Sequence, residues 1–518
     1  MLSTPAPRDT GGLTRRDLLK LAAFLPFLEA GRQLAAKRMA STAAGPSGQP
    51  NILVLVFDTL SASNLSLYGY PRRTTPELDR CSERATVFHS HRSAGNFTTP
   101  GTASLLTGVY PWSHRALHIQ GTVLDEYRDR SLFALLADRG YHRLAYTHNI
   151  VAASLLDQFR HDLETLPRVG DLALMDLTYA ERLFPRDLTV AVHGEGVLTR
   201  RGDTPSGSLF LYHPLSLLGA RLLRRSDDRH RERFPRGLPG AHDLRFLLED
   251  AVDWTIEQLS TMPQPFLAYL HYLPPHDPYR PRREFVGIFD DRPDPAPKPS
   301  HPLSDGTSTE FLNTERRRYD ETIAYVDGEL GRLFRFLTSS GLLDTTYVIL
   351  TSDHGEMFER GIWNHITPVL FDPVIRVPLI VWEPGQRVGR NVHTPTSSVD
   401  IVPTVLRIAD VPIPDWCEGQ VLPSILGEPP TPERGVYCME AKGSPKLGAL
   451  DVRSTAVISG RTKLVHYLGY GAYDDVYELY DLEEDPEELV DLYPARPGIA
   501  VDLVEMLSTQ QVKMGALP

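Results

Sequence analysis

The sequence predicts an α/β fold: a doubly wound, mostly parallel sheet flanked by helices, with a smaller C-terminal α+β subdomain. Three observations carry this expectation. Ile52-Leu53-Val54-Leu55-Val56-Phe57 is an unbroken apolar run that stops at Asp58, and Tyr347-Val348-Ile349-Leu350 stops before Thr351-Ser352-Asp353-His354-Gly355-Glu356. Apolar runs without alternation are strands buried on both faces, as in parallel sheets. Ile323, Val326, Leu330, Leu333 and Leu337 recur at intervals of three and four, which gives one apolar helix face. Alternating strands and helices of this kind wind a sheet from both sides. Ligands of such sheets gather at the carboxyl ends of the strands, where Asp58 and Asp353 fall.

Taken in order, residues 1–45 read as a targeting segment and linker. Thr14-Arg15-Arg16-Asp17-Leu18-Leu19-Lys20 resembles a twin-arginine export signal, and the stretch from Leu21 to Leu28 is mildly apolar and broken by Pro26. It is too short to span a bilayer. Cleavage is expected near residues 36–45, giving an exported, periplasmic or extracellular protein without a membrane span. Residues 41–50 are rich in Ala, Gly, Ser and Pro and form a linker. The main domain is expected over 50–430. Within it, residues 168–245 interrupt the alternation with Arg-, Asp- and His-rich patches and read as an insertion. Residues 281–312, rich in Pro and Asp, read as a long irregular loop. Val377-Pro378-Leu379-Ile380-Val381-Trp382 is a third apolar run, and the texture changes again over 431–518.

Composition narrows the function classes. The chain has 518 residues, 41% hydrophobic and 23% charged, in the range of an ordinary globular protein. A net charge of −12 argues against nucleic acid as a partner. The three cysteines, Cys81, Cys417 and Cys438, form no Cys-x-x-Cys pair. A single disulfide such as Cys417–Cys438 would leave one thiol over, and three ordinary thiols are the simpler expectation.

The densest chemical signal is Asn96-Phe97-Thr98-Thr99-Pro100-Gly101-Thr102-Ala103-Ser104-Leu105-Leu106-Thr107-Gly108. Pro100 suits a first helical turn, so Thr98 is expected beside free backbone N–H groups, a natural anion site. The segment resembles the nucleophile segment of sulfatases, Cys-x-Pro-Ser-Arg followed by Ala-x-Leu-Leu-Thr-Gly. Phe57-Asp58-Thr59, Pro274-Pro275-His276-Asp277-Pro278-Tyr279, Ser352-Asp353-His354-Gly355-Glu356 and Arg376-Val377-Pro378-Leu379-Ile380 stand in the matching order. The resemblance spans roughly residues 50–495 and points to the sulfatase family of the alkaline-phosphatase-like superfamily. Tyr477-Glu478-Leu479-Tyr480-Asp481-Leu482 looks like the closing strand of its C-terminal subdomain.

The resemblance implies Asp58, Asp353 and His354 as ligands of one divalent metal (Mn, Zn, Mg or Ca), with the Thr98 hydroxyl completing the site and serving as nucleophile. Two departures stand out. Thr98 replaces the cysteine that family sulfatases oxidise to formylglycine, and Thr102 replaces the accompanying arginine. Thr59 stands where many relatives have a second aspartate, which leaves the site one carboxylate short. His276, held between prolines, is expected to act as a positioned acid or anion contact, and His365 to contact the substrate. His148 and Asn149 are expected to line the pocket.

These readings favour a metal-dependent hydrolase or transferase of phosphate esters, a phosphodiester or phosphonate monoester, on a small-molecule, lipid-headgroup or glycan substrate. Two other classes stay open. One is a sulfuric ester hydrolase working without formylglycine. The other is a non-catalytic binder of an anionic glycan or lipid headgroup.

Overall fold

A computed structural model describes residues 48–176, 212–240 and 244–515. The expected export segment lies outside the described residues, as does much of the expected insertion. A seven-stranded sheet forms the centre. Its strands lie in the order Arg390–Val392, Thr86–Phe88, Leu379–Trp382, Thr346–Thr351, Asn51–Phe57, Phe266–Tyr272 and His142–Thr147. The last four are mutually parallel. Leu379–Trp382, expected only as a buried run, is antiparallel to both of its neighbours, while Arg390–Val392 runs parallel to Thr86–Phe88.

The unbroken apolar run at 52–57 has a direct structural cause. Leu53, Leu55 and Phe57 enter one hydrophobic layer, with the helices Leu248–Thr261 and Thr309–Ser339. Ile52, Val54 and Val56 enter the opposite layer, with the helices Thr98–Thr107, Ile150–Gln158 and Ile401–Ile408. Successive side chains point to opposite faces, so a strand covered on both faces needs apolar residues at every position. The periodic residues Ile323, Val326, Leu330, Leu333 and Leu337 are all buried on the Thr309–Ser339 helix. Full burial of each stabilises by roughly 1.5–3 kcal/mol.

The C-terminal subdomain is a four-stranded antiparallel sheet, Val436–Glu440, Arg453–Ser459, Thr462–Leu468 and Val476–Asp481, backed by the helix Val501–Gly515. The expected closing strand is its edge. A buried ion cluster joins the two parts. Lys463, with no side-chain exposure, meets Glu488 at 2.5 Å and Asp372 at 3.4 Å. Arg92 of the main domain reaches Asp372 at 2.8 Å. A second seam lies nearer the expected nucleophile: the Met439 N–H donates to the Ala94 carbonyl at 2.9 Å, and Gly95 and Met439 form a parallel bridge. All three cysteines are free.

Within 168–245, Ala173–Asp176 pairs antiparallel with Leu244–Phe246. Leu244 and Phe246 pack on Leu273, just ahead of the Pro-Pro-His loop. Among the described residues, no helix is long and apolar enough to cross a membrane.

Candidate active site

Three parallel strands deliver the site. Asp58 follows the Asn51–Phe57 strand, Asp353 and His354 follow Thr346–Thr351, and His271 lies inside Phe266–Tyr272 beside Val56. All four side chains are fully buried. Directly after Asp58 the chain turns through Thr59 at φ 62°, an unusual value for a β-branched residue. The Tyr319 hydroxyl holds that turn by donating to the Thr59 carbonyl at 2.5 Å.

Thr98 opens the helix Thr98–Thr107, as its place before Pro100 predicts. Phe97 at the N-cap makes no side-chain cap, which leaves the helix N-terminus free to receive an anion. Gly101 is needed here because a Cβ on it would sit 2.2 Å from the Asp353 carbonyl oxygen. That close approach brings the Thr98 turn against the Asp353 loop. Ser93 ties the same carbonyl down with its hydroxyl.

The Thr98 Oγ lies 3.4 Å from His354 Nε2. That same nitrogen is 3.4 Å from Asp58 and 3.5 Å from Asp353. His354 Nδ1 faces the Gly355 carbonyl at 3.0 Å, and a carbonyl only accepts. The proton is therefore on Nδ1, and a lone pair on Nε2 points at two carboxylates and a hydroxyl. Thr102 reaches Asp353 with its hydroxyl at 3.5 Å.

His271 is the residue that sequence reasoning missed. Its Nε2 lies 3.5 Å from Asp58 and 3.6 Å from Asp353 and has no hydrogen-bond partner, and Asp58 Oδ1 also has none. Its Nδ1 is 3.3 Å from the Tyr269 hydroxyl. Burial opposes its protonation, but the charges of Asp353 and Asp58 outweigh it and hold its pKa above the ordinary histidine value. A titratable side chain inside a strand buried on both faces, between Leu270 and Tyr272, was the available signal. Asp58, His271 and Asp353 place ligand atoms within 4.8 Å of one another.

The electrostatics suit a divalent cation. Burial works against ionising Asp58, but His276, His271 and His354 outweigh it and hold its carboxyl below the ordinary range. Burial, with repulsion from Asp58, pushes Asp353 up. Burial draws His354 down to about 4, so its imidazole is neutral at ordinary pH. The two carboxylates repel one another, and a divalent cation would remove that conflict. Asp58 Oδ1 and His271 Nε2, neither with a hydrogen-bond partner, are atoms that could ligate such an ion. His271 would then take the place that Thr59 leaves open.

Asn149 serves the site from within. Its side-chain oxygen caps the Ile150–Gln158 helix, accepting from Val151 N–H at 2.7 Å, while its Nδ2 donates to Asp58 and lies 3.3 Å from Thr98 Oγ. The pocket-lining role expected for it becomes one of fixing Asp58 and Thr98. His148 is not brought into that contact. Its ring stacks on Phe246 at 4.0 Å, neither ring nitrogen has a partner, and it is fully buried.

His276 is half-buried, with its Nδ1 on the Asp277 carbonyl at 2.7 Å, which leaves Nε2 available. Burial opposes its charge, but the fields of Asp58, Asp277 and Glu356 prevail and raise it to about 9. His365 stacks 4.3 Å from the His354 ring and 5.1 Å from that of His276, and its Nδ1 meets Glu356 at 3.1 Å. Burial first, then His276, draws it down to about 3, and Lys442 adds to that push. Asn96 secures the His365 loop by donating to the carbonyls of His365 and Thr367 at 3.2 and 2.7 Å.

The sulfatase family model matches residues 50–411, and a model described as N-sulphoglucosamine sulphohydrolase, C-terminal, matches 367–513. A choline-sulfatase from Rhizobium meliloti is 31% identical over 253 residues, 44% of this chain and 46% of that protein, so the match spans less than half of that relative's length. An N-acetylgalactosamine-6-sulfatase from Canis lupus familiaris is 24% identical, covering 74% of this chain and 67% of that protein. Among solved structures, a phosphonate monoester hydrolase of Agrobacterium radiobacter superposes with a TM-score of 0.64 at 20% identity, over 90% of this chain and 96% of that one. That likeness concerns the fold. With the family model covering most of its length and the strand-end residues converging as described, the chain belongs to the sulfatase family, within the alkaline-phosphatase-like superfamily.

Proposed function

We propose that the protein is an exported, metal-dependent hydrolase or transferase of phosphate esters, a phosphodiester or phosphonate monoester, with Thr98 as nucleophile. The observation that carries this reading is the Thr98 hydroxyl at a helix N-terminus, 3.4 Å from the lone pair of His354. Asp58, Asp353, His354 and His271 would hold one divalent cation. Such an ion, when bound, lowers the pKa of a neighbouring hydroxyl and neutralises phosphoryl oxygens. Asn149 fixes the Thr98 hydroxyl and the Asp58 carboxylate relative to each other. The Thr98 oxygen forms a bond to phosphorus as the ester P–O bond breaks. Its proton passes to water, and His276 Nε2 protonates the departing oxygen. Water or an alcohol then displaces Thr98 from phosphorus, restoring the hydroxyl.

The nucleophile argues for phosphorus over sulfur. Formylglycine sheds sulfate by breaking the C–O bond of a hemiacetal. A threonine sulfate has no such exit, whereas a phosphothreonine is open to in-line displacement. The competing reading, a sulfuric ester hydrolase without formylglycine, draws on the similarity to the choline-sulfatase. Export is supported by Arg15 and Arg16 in their Thr14–Lys20 context. The deciding experiment offers chromogenic phosphate monoester, phosphodiester, phosphonate monoester and sulfate substrates, each with Mn²⁺, Zn²⁺, Mg²⁺ and Ca²⁺. Turnover confined to sulfate would transfer the assignment to the second reading. Turnover of none, together with tight anion binding, would leave a binder.

A further inference from the structure

The Val436–Glu440 strand docks on the segment that leads into Thr98, through Met439 on Ala94 and the bridge to Gly95. The chain just beyond that strand is therefore delivered beside the segment that leads into Thr98. Lys442 stands there. Its ammonium lies 5.1 Å from the centre of the Phe97 ring, and Phe97 is the residue before Thr98. The Phe97 ring is buried, while the Lys442 side chain keeps 24% of its exposure. Asn96, the residue before Phe97, holds the His365 loop. Lys442 thus stands beside the residue that precedes the buried Thr98, near enough to His365 for its charge to act on that imidazole.

Its own partner does not saturate it. Glu440 Oε1 is 3.6 Å from the ammonium, a loose ion pair. That carboxylate already accepts from the Lys442 backbone N–H at 2.9 Å and from the Tyr470 hydroxyl at 2.6 Å. An ammonium set on an aromatic face, half-enclosed and loosely paired, favours an incoming anion. The reacting ester itself lies deeper, among fully buried groups. The anion that meets Lys442 therefore belongs to the organic part of the substrate.

We propose that Lys442, with Phe97 beneath it, forms an anion-binding subsite supplied by the C-terminal subdomain, selecting esters whose organic part carries a second negative charge such as a carboxylate. The inference rests on the ester-cleaving reading of the Thr98 site. Burial pulls the Lys442 ammonium below the ordinary lysine value despite Glu440, consistent with unmet demand for negative charge.

The test uses two aryl esters of the same shape, 4-carboxyphenyl and 4-carbamoylphenyl, each made as methylphosphonate and as sulfate. The full-length metal-loaded enzyme should prefer the carboxylate member by about tenfold or more in kcat/KM, and added salt should shrink the preference. Lys442→Gln should erase that preference by raising KM for the carboxylate ester, and Lys442→Arg should keep most of it. If no ester is turned over, the same ratio is read as Kd by equilibrium dialysis against Thr98→Ala. Absence of turnover counts against the reaction. An unchanged ratio in Lys442→Gln, or an equal loss on both esters, overturns the subsite.

Discussion

His271 Nε2 lies 3.5 Å from the Asp58 carboxylate without a hydrogen-bond partner, although both side chains are fully buried. With Asp353 the pair forms a group whose ligand atoms lie within 4.8 Å of one another, suited to a metal ion. His271→Asn should weaken metal retention by at least about tenfold, read by elemental analysis after dialysis against a graded chelator. Asp353→Asn should empty the site. Undiminished retention in His271→Asn would return the ligand set to Asp58, Asp353 and His354.

Thr98 separates the covalent reading from its rivals. Thr98→Ala should abolish turnover and retain bound metal, because Asp58, Asp353, His354 and His271 remain. Thr98→Ser should keep a measurable fraction of the rate, since the hydroxyl survives. Acid-quenched enzyme should carry a phosphoryl adduct on the peptide holding Thr98, detected by mass spectrometry. Substantial turnover by Thr98→Ala would falsify the mechanism.

His276 sets the alkaline limb. Its pKa of about 9 lies above the ordinary histidine value, so the proton it offers a leaving group is present below that pH and lost above it. A cation shared by Asp58 weakens one of the fields that hold the proton. The rate should therefore fall as pH rises through a midpoint at or below about 9. His276→Ala should lower kcat most for poor leaving groups and remove that limb. A wild-type profile that stays flat to pH 10 would take the acid role from His276.

The buried ion cluster makes a stability prediction. Lys463→Ala leaves Asp372 and Glu488 buried without their shared cation, and loss of one partner of such a pair costs about 3–5 kcal/mol. Thermal melting of the variant should show the two parts unfolding at a lower temperature. An unshifted melt would mean that Arg92 alone compensates Asp372.

Export is tested by replacing Arg15 and Arg16 with Lys. The precursor should stay in the cytoplasm, followed by fractionation and immunoblotting. Unchanged export would sink the twin-arginine reading.

The sequence was most legible where chemistry sits at the end of an apolar run. Asp58, Asp353 and His354 follow strands whose double burial is written in every residue, and Thr98 opens a helix that carries Pro100 in its first turn. Strand order was less visible. Leu379–Trp382 is as apolar as its parallel neighbours, and nothing in its composition reveals that it runs the other way. His271 was hidden because its partners come from adjacent strands far away in sequence. Lys442 was hidden for the same reason, since only the docking of Val436–Glu440 on Ala94 and Gly95 brings it near Phe97. His148 and Asn149 show the limit of adjacency: one stacks on Phe246 while the next grips Asp58.

The Ala94–Met439 seam also imposes an order of events in biogenesis. The ribosome releases the Thr98 segment early and the strand that clasps it late. Until Val436–Glu440 has emerged, the turn before Thr98 lacks that bonded neighbour. A chain interrupted before that point would present Thr98 in an unfinished setting, so the Thr98 segment reaches its final surroundings only late in synthesis.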